Sequence, residues 1–262
     1  MTTSSFLAEL RRRDRVLFAV ALAHVAALVA FAVVAPFDLR TVAGLNPWIK
    51  PIKFAASIAI YAATVGWLLP HVQDAHTARA VVRWGVGIVM LLEMACIALQ
   101  AGRGTTSHFN VTTPIDEIVF GLMGFGILAN TVFLTLLFCL FLVRPGPIAR
   151  PYLWGIRLGL LVILLGSVEG GLMIAHGAHT VGAADGGPGL PLVGWSTRAG
   201  DLRIAHALGL HALQAFPVFG WAVSSRVGSR AGTVLVFLFA IGWLGTAAWL
   251  FAQAMVGRPL LT

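Results

Sequence analysis

Seven apolar stretches set the terms for this chain. They cover residues 16–36, 47–70, 81–101, 114–143, 154–176, 202–223 and 231–255. A helix that crosses a bilayer needs about 20 mostly apolar residues, and each stretch meets that length. The apolar character runs all the way round, without the alternation that marks barrel strands of about 10 residues. The chain therefore reads as all-α, a polytopic membrane protein built as a seven-transmembrane-helix bundle. The fourth stretch exceeds what a bilayer needs, so tilt or extension beyond the lipid is expected there.

Composition agrees with that reading. Of 262 residues, 58% are hydrophobic and 11% charged, where a soluble domain is about a quarter charged. No stretch is polar enough to form a separate soluble domain. The expectation is one membrane domain over 16–255, preceded by a basic segment at 1–15 and followed by a short tail at 256–262. The first span is too long, and its flanks are wrong, for a cleaved signal peptide.

The net charge of +8 does not point to nucleic acid, because the basic residues lie mostly in short connections. Arg11, Arg12, Arg13 and Arg15 precede the first span, and Arg79 and Arg83 follow the second. Arg144, Arg150 and Arg157 follow the fourth, and Arg226 and Arg230 the sixth. With seven spans all these ends fall on one side, which then carries eleven of the eighteen basic residues. The positive-inside rule makes that side cytoplasmic, with the N-terminus inside and the C-terminus outside. Sixteen arginines against two lysines suggest a high-GC bacterial genome, and so a bacterial inner membrane with the lipid bilayer as the first partner. Cys96 and Cys139 fall toward opposite ends of their spans, too far apart for a disulfide. They read as small buried hydrophobes.

Helix starts are legible locally. Asn46-Pro47 places a cap and a first-turn proline before the second span. Thr113-Pro114-Ile115-Asp116 forms a capping box before the fourth, and Gly200-Asp201 offers a cap for the sixth. The glycine-rich connection from Gly177 to Gly200, with Trp195 in it, is long for a bundle loop and is expected to act as a lid over the periplasmic face.

Polar residues enter the spans as stripes at helical spacing. Lys50, Lys53, Ser57, Tyr61 and Thr64 mark the second span. Glu93 and Gln100 mark the third, Glu169 and His176 the fifth, and Arg203, His206, His211 and Gln214 the sixth. At a rise of about 1.5 Å per residue, Ser57, Glu93, Glu169 and His211 fall roughly 10–15 Å below the periplasmic end. Lys53, His176, His206 and Arg203 form a layer within roughly 6 Å of it. Ionisable groups in a bilayer avoid lipid, so the stripes are expected to meet in a periplasm-facing polar chamber.

Three chemistries fit such a chamber. Imidazole suits iron, copper and zinc, so the first is a redox protein holding haem b or a transition metal ion. His176 and His206 would then be paired ligands, Lys53, Arg103 and Arg203 would meet propionates, and His211 would be a further metal ligand. A quinone or a periplasmic redox protein would be its partner. The second is a proton-coupled transporter of a small anionic solute, in which Glu93, Glu169 and His211 exchange protons and Tyr61, Thr64 and His24 continue inward. The third is a lipid-active hydrolase or transferase, with a carboxylate–histidine pair as acid and base and Ser57 as nucleophile. No His-Glu-x-x-His or Cys-x-x-Cys motif selects among them. A retinal protein is excluded by the seventh span, which lacks a lysine.

Overall fold

The computed structural model describes residues 3–261, with side chains from Ser5 onward. Met1, Thr2 and Thr262, which end the basic segment and the tail, lie outside the described residues. Among the described residues there are eight α-helices, and seven of them are long and apolar enough to cross a membrane. They are α2 (Arg15–Val34), α3 (Ile49–Leu68), α4 (His76–Arg103), α5 (Pro114–Val143), α6 (Arg150–His176), α7 (Arg203–Ser224) and α8 (Ser229–Met255). The basic N-terminal segment is itself helical, as α1 (Thr3–Arg13).

The helix ends follow local chemistry. Asp14 opens α2 by accepting hydrogen bonds from the Val16 and Leu17 amides, which satisfies two of the donors a helix start leaves open. Thr113 opens α5 by accepting from the Asp116 amide, with Pro114 at the first turn, as the capping box predicts. The second span differs. Its helix starts at Ile49 rather than at residue 47. Asn46 donates to the carbonyls of Ala35 and Asp38 and accepts from the Trp48 amide. Gly104 (φ 71°) and Gly177 (φ 72°) close α4 and α6 in the left-handed conformation that favours glycine at this position.

Two compact units divide the chain, Met1–Gly146 and Pro147–Thr262. In the first, α2 packs on α3 and α4, α4 packs on both α3 and α5, and α1 lies against α2 and α3. The packing of α1 follows from its sequence. Leu10 is fully buried, Phe6 stacks on Trp67 at 5.2 Å, and the Arg13 guanidinium sits 4.2 Å from the Trp67 ring centroid. Cys96, Ile97, Val119 and Met123 form a core between α4 and α5, with Phe54 of α3 against it. Cys96 is buried and Cys139 exposed, and both are free thiols.

The second unit is built on the α6–α7 pair, with α8 against both. Small residues let the two backbones touch. A Cβ at Gly166 would lie 2.9 Å from Gly209 Cα, one at Gly159 would lie 2.9 Å from the Ala212 carbonyl oxygen, and one at Gly220 would lie 2.6 Å from that of Pro151. Phe216 fills the space between α6 and α8 with Val162, Ala212 and Ala240.

The 177–200 connection is an ordered, stapled loop. Its ends pair as a two-stranded antiparallel ladder, β1 (Thr180–Val181) with β2 (Gly200–Asp201), and both strands pack on α8. Asp185 accepts from the His179 and Thr180 amides, the Thr180 hydroxyl and His179 Nδ1. Burial works to raise the Asp185 carboxyl, yet these donors hold it well below the usual carboxylate range.

Candidate functional site

The first unit carries polar side chains along its whole length. At the end where Arg13, Arg79, Arg83 and Arg144 gather, here the basic end, Asp14 has no side-chain exposure and pairs with Arg83 Nε at 2.6 Å. Arg13 donates to the Trp67 carbonyl at 3.0 Å and reaches His71 Nε2 at 3.2 Å. Nearly three turns further along α2, His24 is buried with both ring nitrogens against carbonyls. Nδ1 faces Val20 O at 2.7 Å and Nε2 faces Met90 O of α4 at 3.2 Å. A neutral imidazole donates from only one nitrogen, so His24 has one more acceptor beside it than that form can serve.

Near mid-helix, the Tyr61 hydroxyl donates to Asn130 Oδ1 at 2.8 Å, tying α3 to α5. Glu93 on α4 is 3% exposed, and Lys50 on α3 is the positive charge that acts on it. An ammonium has no acceptor capacity, so Lys50 Nζ donates to His108 Nδ1 at 3.0 Å. Ser107 Oγ approaches the same nitrogen at 3.0 Å. Lys53 stands one turn from Lys50 on the same helix and also has an interacting partner. Thr64 donates back to the Ile60 carbonyl of its own helix.

Beyond Lys50 lies a dense network at the far end. Asp116 accepts from Gln100 Nε2 at 2.8 Å, Arg103 Nη1 at 2.5 Å and the Thr112 and Thr113 hydroxyls. It therefore does more than open α5. It is the anion that holds Arg103, the residue expected to clamp a haem propionate. Asp38 plays a similar part nearby, where Arg40 and the Trp48 indole hold its carboxyl well below the usual range.

The second unit holds the other expected ligands. His206 on α7 donates from Nδ1 to the Gly166 carbonyl of α6 at 2.9 Å. His176, at the end of α6, is exposed and donates from Nε2 to the Thr180 carbonyl at 3.1 Å. Arg203 forks onto Asp201 at 2.6 Å and 2.9 Å and donates to the Gly194 carbonyl, so this second expected propionate partner is also engaged by a carboxylate. Glu169 has one buried carboxylate oxygen without a hydrogen bond from any described residue. His211 is exposed on α7. Among the described residues, no three His, Cys, Asp or Glu side chains gather as a metal-ligating group.

Within the first unit the structure joins Lys50 to His108, and the charge of Lys50 also acts on Glu93. Of these, His108 was not a site candidate in the sequence. Asp14, Arg83 and Asn130 were likewise not site candidates. The signal for Asn130 was present, as an amide deep in an apolar run. The signal for Asp14 was its position as a cap just before such a run. No family model, curated protein or solved structure matches this chain.

Proposed function

We propose that the protein is a multi-pass protein of a bacterial inner membrane whose first unit conducts protons across the bilayer. One observation carries this reading, the succession of buried and half-buried polar side chains from one end of the first unit to the other. Lys50 and His108 begin it. Glu93, the Tyr61–Asn130 pair, His24 and the Asp14–Arg83 pair follow. Along α4 alone, Glu93 and Arg83 are separated by about 15 Å of helix rise, and His24 meets the backbone of that helix between them, at Met90.

Each member suits the role chemically. A carboxyl group inside a bilayer is costly and is a functional hypothesis by default. Glu93 takes up and releases a proton. The Tyr61 hydroxyl donates and accepts, and the His24 imidazole carries a proton on either nitrogen. Lys50, in the first turn of α3, places a positive charge that acts on Glu93 at this end of the path. In this reading the basic end is cytoplasmic by the positive-inside rule, and the C-terminus is outside.

The test is proton uptake into proteoliposomes containing a trapped pH-sensitive dye, driven by an imposed pH gradient. Wild-type protein is expected to collapse the gradient faster than empty liposomes, and Glu93→Gln to remove that difference. Equal rates for wild type and Glu93→Gln would sink the proposal. A reporter fused after Thr262 checks orientation, and a cytoplasmic signal would refute it.

A second reading, a haem or metal centre in the second unit, is favoured by the tautomer of His206. Its Nδ1 proton is fixed on the Gly166 carbonyl, which leaves Nε2 as a lone pair, the arrangement metal-ligating histidines share. Visible spectra of oxidised and dithionite-reduced protein, with metal analysis of the same sample, decide it. A colourless, metal-free preparation from membranes with ample haem would remove this reading.

A further inference from the structure

The hairpin within the 177–200 loop exposes more apolar surface than a water-facing turn requires. Between Asp185 and Arg198, residues 186–197 carry no charge. Gly189 bridges Ser196, the Leu190 amide donates to the Trp195 carbonyl, and the Gly194 amide donates to that of Leu190. Pro191, Leu192 and Val193 form the tip. Leu192 has a φ of 64°, a left-handed conformation that suits glycine or asparagine and strains a bulky residue. Its side chain is nonetheless 69% exposed, so packing within the chain does not offset that strain. Glycine would relieve it. What leucine adds there is apolar surface directed outward.

The hairpin stands beside the helices rather than over their ends. At its base, the backbone of Gly200 in β2 lies too close to the Ala254 carbonyl of α8 for a Cβ to fit. Arg203, at the start of α7, donates to the Gly194 carbonyl. Trp195 then lines a cavity with Ala207 and Leu208 of α7 and with Thr246 and Leu250 of α8. Those two α8 residues lie about 8–14 Å of helix rise short of Met255, where the helix ends. The flank of α8 here is apolar and exposed, as at Trp249 and Val256. The tip thus continues the side of two helices that are long and apolar enough to cross a membrane.

Backbone donors limit how deep such a tip can go, because hydrocarbon admits none that is unpaired. Pro188 and Pro191 have no N–H, and the Leu190, Val193 and Gly194 amides are bonded within the hairpin. Trp195 is of the type that collects at headgroup level. We propose that the 188–197 hairpin is a membrane anchor, with its Leu190–Val193 tip in the headgroup–acyl boundary of the leaflet at this end of α7 and α8. Lipid is the partner because the tip is uncharged and continuous with the exposed apolar flank. The inference rests on the helices crossing a bilayer, and on neither proton movement nor a metal centre.

The test places a nitroxide on Leu192→Cys in the full chain, with Cys96→Ala and Cys139→Ala, in phosphatidylcholine vesicles. Power saturation is read with oxygen, which partitions into lipid, and with nickel-EDDA, which stays in water. Oxygen is expected to relax the Leu192 label more than nickel does. The order is expected to reverse at Ala184→Cys, an exposed position beside Asp185. Pro191→Cys, the neighbouring exposed tip position, carries the Leu192 expectation should that variant fail to assemble. Nickel prevailing at the tip would overturn the proposal and make the hairpin a water-facing turn. Low access to both reagents, with an immobilised spectrum, would also overturn it, because the tip would then be covered by protein.

Discussion

Replacing Gly166 with alanine tests whether backbone contact holds α6 against α7. The added Cβ would lie 2.9 Å from Gly209 Cα and 3.0 Å from its carbonyl carbon. These are backbone atoms in a helix, so no side chain can swing aside. Restoring ordinary contact requires the helices to part by roughly half an ångström or more, and overpacking of this kind costs about 1–3 kcal/mol. Alanine recovers up to about 1 kcal/mol over glycine through helix propensity. The net expectation is a loss of about 1–2 kcal/mol, or roughly 2–8 °C in apparent melting temperature for a chain of this size. The control is Gly171→Ala, where a Cβ meets nothing within 4 Å and the propensity gain stands alone. The assay is thermal unfolding of detergent-purified protein followed by thiol-reactive dye or tryptophan fluorescence at one scan rate. Equal melting temperatures for the two variants would refute close backbone contact as the basis of this pair.

Other perturbations give distinct outcomes. Asp14→Ala removes both the α2 cap and the Arg83 pair. A cap is worth about 1 kcal/mol and a charge-assisted hydrogen bond about 1.5–3 kcal/mol, so a loss of about 3 kcal/mol is expected in the same melt. Tyr61→Phe leaves the buried Asn130 amide short of a donor. It should cost about 1–2 kcal/mol, and Tyr61→Phe with Asn130→Leu should recover most of that, a pattern a double-mutant cycle reads directly. Asp185 titrates with its folded value held low, so its contribution is fully present above the unfolded carboxylate value of about 3.9. That contribution is lost as pH falls through the folded value. Hydrogen exchange at the His179 and Thr180 amides should therefore stay slow at pH 5 and quicken in strongly acidic solution, and Asp185→Asn should quicken it at every pH.

Hydrophobic length made the seven helices legible, because crossing a bilayer demands about the same run of apolar residues each time. The capping box at Thr113 was equally plain, since it is a local exchange between residues three apart. Local signals failed where a side chain had a competing distant use. Asn46 makes a cap-type bond to the Trp48 amide through its oxygen, but its amide nitrogen is held by the distant carbonyls of Ala35 and Asp38. The α1 segment reads as a run of charges, yet Phe6, Leu10 and Arg13 each find an apolar or aromatic seat. Arg103 and Arg203 looked like spare cations because their carboxylates, Asp116 and Asp201, already had sufficient roles as caps. Periodicity placed Glu93 and Tyr61 on buried faces and Lys50 on a half-buried one. Their partners His108 and Asn130 lie 58 and 69 residues away in sequence, and nothing in one helix's spacing reports which residue of another it will meet.

The central claim is that protons cross through the first unit by way of Glu93. Current across a planar bilayer holding the reconstituted protein, recorded under a pH difference, tests it most directly. The account predicts a reversal potential that moves by about 59 mV per pH unit, as a one-electron-charge carrier requires, and no such current from Glu93→Gln. A reversal potential indifferent to pH, or one unchanged by Glu93→Gln, would contradict it.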